Sequence, residues 1–89
     1  MVNNRRSELE IMGKLIELSK EGARKTDLLY KGNLSYSQLQ GYLRFLLDKD
    51  IVEERIVKSN GNNGKYYYTT DKGFEVLRDV RKVLDHFGY

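Results

Sequence analysis

Residues 26–49 read TDLLYKGNLSYSQLQGYLRFLLDK and predict two helices joined by a tight turn. The first helix is expected over residues 25–32, because a Gly-Asn pair, which tolerates positive φ, stands at its end. Ser35 and Gln38 then have the spacing of a capping box, in which each side chain bonds the backbone N–H of the other residue. This cap and the helical spacing of the leucines that follow predict a second helix over residues 36–49.

The rest of the chain predicts one further helix before this unit, and a hairpin and a helix after it. A capping box followed by apolar residues at helical spacing predicts a helix over residues 7–21. Alternating β-branched residues predict a strand over 51–58, which a polar turn over 59–64 connects to a return strand over 65–69. A threonine cap opens the last helix, over 71–87. This order predicts that the whole chain is one α+β domain, a winged helix-turn-helix with the hairpin as its wing.

The amino-acid composition argues against a membrane protein, a metal site and an enzyme. The 89 residues include no Cys, which excludes disulfides and thiolate zinc ligands. His86 is the only histidine, so neither a His-based triad nor a multi-His metal site can be assembled. No apolar run approaches the ~18 residues that a membrane span needs, and the N-terminus does not resemble a signal peptide. We therefore expect no catalytic residues, no metal and no cofactor.

The net charge of +3 is small, but the basic residues are unevenly distributed. The excess lies in residues 1–6, 22–49 and 55–65, and the last of these stretches contains three basic residues and no acidic residue. This distribution indicates an acidic partner if the fold brings the stretches to one side. Arg5 and Arg6 fit either a mobile arm that adds affinity for such a partner or a solubilising terminus.

Three stretches resemble one known family. GARKT at 22–26, YKGNLSYSQLQGYL at 30–43 and TTDKG at 69–73 are similar to the archaeal winged-helix family typified by the ten-kilodalton dimeric DNA-binding proteins of Sulfolobus. The resemblance extends over about residues 9–87. It implies DNA binding, a reading role for the helix at 36–49, and dimerisation through an antiparallel coiled coil of the last helices. The last helix is shorter here than in that family and provides only about two heptads.

The reading helix would place polar side chains in the major groove, where Gln can bond adenine and Arg can bond guanine. Gly41 in its middle costs about 1 kcal/mol relative to Ala, which is easier to understand if something approaches closely there. Basic residues around this helix and on the wing would contact phosphates. An ordinary solvated surface and a plain β-turn are the alternatives. The residues expected to contact DNA are Arg24, Lys25, Lys31, Ser35, Ser37, Gln38, Gln40, Arg44, Lys58, Asn60, Asn62 and Lys65, with Asn63 as a further candidate.

Two apolar features have competing interpretations. Tyr66, Tyr67 and Tyr68 suggest stacking on bases, but packing of the hairpin on the helices or on a partner subunit is favoured, with Tyr67 on the opposite face from its neighbours. The last helix has an apolar stripe that fits a homodimer interface or, alternatively, a helix folded back within a monomer. The predicted interface consists of Val76, Leu77, Val80, Val83, Leu84 and Phe87.

These observations together predict a double-stranded DNA-binding protein, a homodimer that acts as a transcription regulator or as a chromatin-associated architectural protein. The expected location is the cytoplasm, in association with the nucleoid. The alternative is a protein-interaction adaptor, in which the apolar last helix recruits a partner. Charge reversal at the basic residues distinguishes the two functions, because an adaptor does not need the acid-free stretch at 55–65.

Overall fold

A computed structural model describes residues 7–88 of the chain, so Arg5 and Arg6 lie outside the described residues. The predicted α+β order is confirmed: three helices precede an antiparallel hairpin, and a fourth helix follows it. The elements are α1 (Glu8–Leu18), α2 (Lys25–Gly32), α3 (Tyr36–Asp48), β1 (Val52–Ser59), β2 (Asn62–Thr69) and α4 (Asp71–His86).

The first helix begins as predicted and ends earlier. The Ser7 hydroxyl accepts a hydrogen bond from the Glu10 N–H at 3.0 Å, which caps the N-terminus. The helix stops at Leu18 rather than at residue 21, and Thr69 of β2 satisfies carbonyls at its end: its hydroxyl donates to the Ile16 carbonyl at 2.7 Å and its N–H to the Ser19 carbonyl at 3.0 Å. Gly22, beyond the end of the helix, has a φ of +97°, a conformation that favours glycine.

The turn between α2 and α3 has the geometry that the sequence predicts. Asn33 lies in the left-handed region with a φ of 55°, and this ends α2. Both halves of the second capping box form: the Ser35 hydroxyl accepts from the Gln38 N–H at 3.2 Å, and the Gln38 side-chain oxygen accepts from the Ser35 N–H at 3.0 Å. Asp27 caps the start of α2 by accepting from the Arg24 N–H at 3.1 Å.

The wing is longer than predicted, because its turn has two residues instead of six. Asn60 and Gly61 have φ values of 48° and 81°, the positive pair that a type I′ hairpin turn requires. Pairing continues to Ser59 opposite Asn62, so half of the predicted turn belongs to β2. At the base of the wing, Ala23 forms an isolated antiparallel β-bridge with Tyr67.

Gly73 fixes the junction between the wing and α4. The Thr70 hydroxyl caps α4 by accepting from the Gly73 N–H at 3.0 Å, and it donates to the Asp50 carbonyl at 2.6 Å. A Cβ on residue 73 would overlap the Ile51 carbonyl oxygen and lie 2.6 Å from the Thr69 side chain. The TTDKG sequence therefore sets the close approach of α4 to the start of β1.

The core lies between α1, α3 and the base of the wing. Its fully buried side chains include Leu15, Ile16, Leu28, Leu39, Leu46 and Val52. Helix α4 packs along α1, where a Cβ on Gly13 would lie 3.1 Å from Val80. Within residues 7–88 no helix is long and apolar enough to cross a membrane, and no three acidic, His or Cys side chains converge as metal ligands do.

Candidate nucleic-acid interface

The outer face of α3 is exposed along its length. Ser37, Gln40 and Arg44 project from it into solvent, as predicted for residues of a reading face. Gly41 lies between them, and a Cβ there would meet nothing within 4 Å. Packing within the chain therefore does not explain this glycine, and the expected close approach of another molecule stays a prediction.

Two of the predicted DNA contacts already have structural roles at the start of α3. The Ser35 hydroxyl and the Gln38 side-chain oxygen are the two acceptors of the capping box. This use of Gln38 conflicts with the predicted bidentate contact to adenine, since that contact needs the same oxygen. Their role in the chain itself is to fix the N-terminal end of α3.

The start of α2 is tied to the wing and to α3 through two cations. The Arg24 Nε donates to the Tyr66 hydroxyl at 3.0 Å, and the Arg24 guanidinium lies 5.3 Å from the centre of that ring. The Lys25 Nζ donates to the Gln40 side-chain oxygen at 3.3 Å and lies 5.7 Å from the Tyr36 ring. Both cations are thus held between elements that would flank a bound duplex.

A cleft of about 300 Å³ separates α3 from the wing, and we call it the wing cleft. Three cations from three elements line it: Lys25 from α2, Arg44 from α3 and Lys65 from β2. Buried Leu43 and half-buried Leu47 contribute apolar surface. The remaining lining residues are Gln40, Glu54 and Tyr67.

Glu54 is a wing-cleft residue that the sequence did not indicate. Its carboxylate lies 3.8 Å from the Lys65 Nζ and, like the Tyr67 side chain, lines the wing cleft. Burial, followed by the nearby charge of Glu54, raises the pKa of Tyr67 to about 12. The alternation of side chains along β1 could have predicted this position. Glu54 is two residues from buried Val52 and therefore lies on the same, inner face of the hairpin.

A second cleft lies between the start of α2 and the outer part of β2. It brings Arg24, Lys25 and Lys65 around one concave surface, and no acidic residue lines it. Its other lining residues are Thr26, Val57, Asn62, Asn63, Gly64 and Tyr66. The two clefts share Lys25 and Lys65, so the basic surface is continuous from α3 to the wing.

The outer part of the wing divides the remaining predicted contacts between its two faces. Lys58 pairs with Asn63 and, like Lys65, lies on the inner face, whereas Asn62 pairs with Ser59 on the opposite face. Asn60 is exposed in the turn. Lys31 is exposed in the last turn of α2 and lines neither cleft.

The three tyrosines of β2 all contact the chain itself. Tyr67 is buried in the core, which confirms the predicted packing of the hairpin on the helices. Tyr66 supports Arg24. The Tyr68 ring lies 4.4 Å from the Arg55 guanidinium and covers Gly22.

The apolar stripe of α4 is narrower at the surface than predicted. Leu77 and Val80 are only 6% and 7% exposed, so these two predicted interface residues belong to the core instead. They are buried because α4 packs on α1. Val76 and Leu84 are half-buried, and Val83 and Phe87 are exposed at 40% and 72%.

The chain belongs to the winged helix-turn-helix family, whose model matches residues 5–87. A search of curated proteins finds no match. The structure is similar to Sso10a-2, a DNA-binding protein from Sulfolobus solfataricus, with a TM-score of 0.74 and 22% identity over 90% of this chain and 80% of that one. It is also similar to a PadR family transcriptional regulator from Eggerthella lenta, with a TM-score of 0.72 and 22% identity over 86% and 73% of the two chains.

A third similar structure is F-93 of SSV1, with a TM-score of 0.66 and 20% identity over 97% of this chain and 96% of the other. The predicted winged-helix family is therefore confirmed, and a Sulfolobus protein is among the structures that share the fold. At these sequence identities, the similarity to the solved structures shows a shared fold.

Proposed function

We propose that this protein binds double-stranded DNA through α3, the start of α2 and the inner face of the wing. The observation that carries the proposal is the convergence of Lys25, Arg44 and Lys65 on the wing cleft. Cations from three separate elements around one concave surface suit a phosphate backbone, whose neutralisation supplies most nonspecific affinity. The DNA-binding function of Sso10a-2 and the regulator function of the PadR protein support this proposal.

Helix α3 is the element that enters the major groove. In a helix-turn-helix the second helix of the motif lies there and presents its N-terminal half to base edges. Ser37 and Gln40 offer polar groups to base edges, and Arg44, further along the helix, adds a cation for the phosphate backbone. The open space at Gly41 lets the backbone of α3 approach the bases or the sugar-phosphate chain.

The flanking cations position the helix without reading sequence. Arg24 is already oriented by Tyr66, and Lys25 exchanges its bond with Gln40 for a phosphate, which frees the amide for a base. Lys58 extends the basic surface along the wing, and Lys31 contacts the backbone beyond the other end of α2. The wing asparagines contribute amide donors, Asn63 from the inner face.

The same interface serves a transcription regulator or an architectural protein that associates with the nucleoid. Selection of binding sites from random duplex DNA tests the proposal and separates the two roles. A regulator yields a recurrent motif, whereas an architectural protein retains DNA without one. Recovery of no DNA at ~50 mM salt contradicts DNA binding altogether.

We further propose a homodimer through the C-terminal half of α4. Val83 and Phe87 are exposed one turn apart and half-buried Leu84 borders them, so a second copy would cover this apolar surface. Half-buried Val76 lies on the same side two turns earlier. The adaptor alternative uses the same surface for a different protein. The molar mass of the purified chain separates these two uses.

A further inference from the structure

The wing cleft has one feature that does not suit a simple phosphate-binding surface. Glu54 is the only acidic residue among its lining residues, and it lies between cations that would otherwise meet the DNA. Its carboxylate is 3.8 Å from the Lys65 Nζ. A negative charge at this position opposes the approach of a phosphate and occupies a cation that could neutralise one.

The core sets the strand position of Glu54, whose side chain is solvent-accessible. The hairpin register pairs Glu54 with Tyr67, and Tyr67 is only 2% exposed. The backbone of Tyr67 is held in turn by Ala23, through bonds of 2.8 and 3.0 Å. The backbone that carries Glu54 is therefore held beside the cleft when a ligand approaches.

We propose that Glu54 is a specificity-determining residue that lowers the affinity for arbitrary DNA by retaining Lys65 and repelling phosphates. This inference rests on the proposed DNA binding. Because Glu54 weakens the sequence-independent part of the affinity, base contacts from α3 contribute a larger share of the total binding free energy. One charge interaction at about 4 Å in a solvated site corresponds to roughly a fivefold change in an equilibrium constant.

The test compares Glu54→Gln with Glu53→Gln, two variants of equal net charge. Glu53 precedes Glu54 in β1, lies on the opposite face and pairs with Arg55, so its change controls for total charge. Glu54 is solvent-accessible, and Gln has nearly its shape and is also polar, so the fold is retained. Circular dichroism and thermal unfolding of both variants verify this.

Fluorescence anisotropy with a labelled duplex of arbitrary sequence gives the readout. We expect Glu54→Gln to lower Kd about fivefold at ~50 mM salt, and Glu53→Gln to change it less than about twofold. The slope of log K against log salt should steepen by about 0.9 in Glu54→Gln, because Lys65 is then free to neutralise one further phosphate.

The other outcomes overturn the inference in distinguishable ways. Weaker binding by Glu54→Gln means that the carboxylate contacts the DNA itself, for instance a cytosine amino group. An equal increase in affinity in both variants means that net charge alone is responsible. If the wild type binds DNA and Glu54→Gln changes nothing, the inference fails while the proposed function stands. If neither protein binds any duplex, the proposed function fails as well.

Discussion

Truncation of Arg44 to Ala should reduce the salt dependence of DNA binding by a calculable amount. Arg44 lines the wing cleft from α3, and its removal subtracts one cation from the surface without changing the core. Among the described residues, Arg24, Lys25 and Arg44 are the three cations of the two clefts that form no salt bridge with a carboxylate. With about 0.9 released counterions per phosphate contact, they give a slope of log K against log salt of about −2.7 per protomer.

This slope sets the size of the effect. Raising salt from 50 to 200 mM weakens wild-type binding by about 40-fold, and Lys31 or Lys58 steepens the dependence further if they also contact phosphates. The slope of Arg44→Ala should be shallower by about 0.9. The two remaining unpaired cleft cations then predict that affinity falls only about 12-fold over the same salt range. The difference between the two slopes does not depend on the other contacts.

Anisotropy titrations of a labelled duplex at several salt concentrations measure both slopes. Truncation of Lys82, an exposed cation on the outer side of α4, is the matched control and should leave the slope unchanged. An unchanged slope in Arg44→Ala would refute the argument that the wing cleft meets the phosphate backbone. A slope lowered equally by the control variant would show that overall charge, not this surface, carries the affinity.

Three further predictions concern stability and assembly. In urea denaturation, Gly73→Ala should lower the free energy of unfolding by about 2–3 kcal/mol, because its Cβ overlaps the Ile51 backbone. Gly41→Ala should raise the free energy of unfolding by about 0.5–1 kcal/mol and weaken DNA binding. Equal effects of the two substitutions would contradict the proposed roles of these glycines. Val83→Asp with Phe87→Asp should shift the mass in light scattering from dimer to monomer, and a monomeric wild type would contradict the dimer. Because the pKa of Tyr67 is raised to about 12 in the folded chain, the wild type should lose stability as pH rises from 10 to 12, and Tyr67→Phe should lose less. Parallel profiles of unfolding free energy against pH would contradict a buried, neutral Tyr67 hydroxyl.

Most of the fold could be predicted because local signals determine where its helices begin. The hydroxyls of Ser7, Ser35 and Thr70 each accept from the backbone N–H three positions later, as predicted. The reciprocal half of the capping box is observed at Gln38. The left-handed stop at Asn33 is equally local. Such features need no knowledge of what packs against the helix.

The errors lie where distant parts of the chain decide the structure. The wing turn is an exception, because Asn60-Gly61 is itself a pair that favours a two-residue type I′ turn, and the prediction of a longer turn followed the whole polar run instead. The carbonyls at the end of α1 are bonded by Thr69, a residue from the distant end of β2. The stripe of α4 showed which residues share a face, but periodicity does not say that α1 covers Leu77 and Val80.

The sequence indicated which residue types belong to the candidate site but not how they are arranged in space. The sequence indicated the basic residues, because their separation from acidic ones is visible in the linear order. It did not indicate that Glu54 and Lys65 would meet in one cleft, or that Arg24 would rest on Tyr66, 42 residues further along. Those pairings follow from the hairpin register and from the way the wing packs beside α2.

A charge-reversal titration tests the central claim, DNA binding by the surface around the wing cleft, most directly. The wild type, a Lys25→Glu, Arg44→Glu variant and a Lys14→Glu, Lys82→Glu control are titrated with the same duplex at ~50 mM salt, after circular dichroism has shown equal folding. Lys14 and Lys82 lie on the α1–α4 side of the molecule, so the control carries the same change in net charge away from the cleft. We expect the wild type and the control to bind and the cleft variant to lose binding. Equal binding by all three proteins, or no binding by the wild type, would contradict the claim.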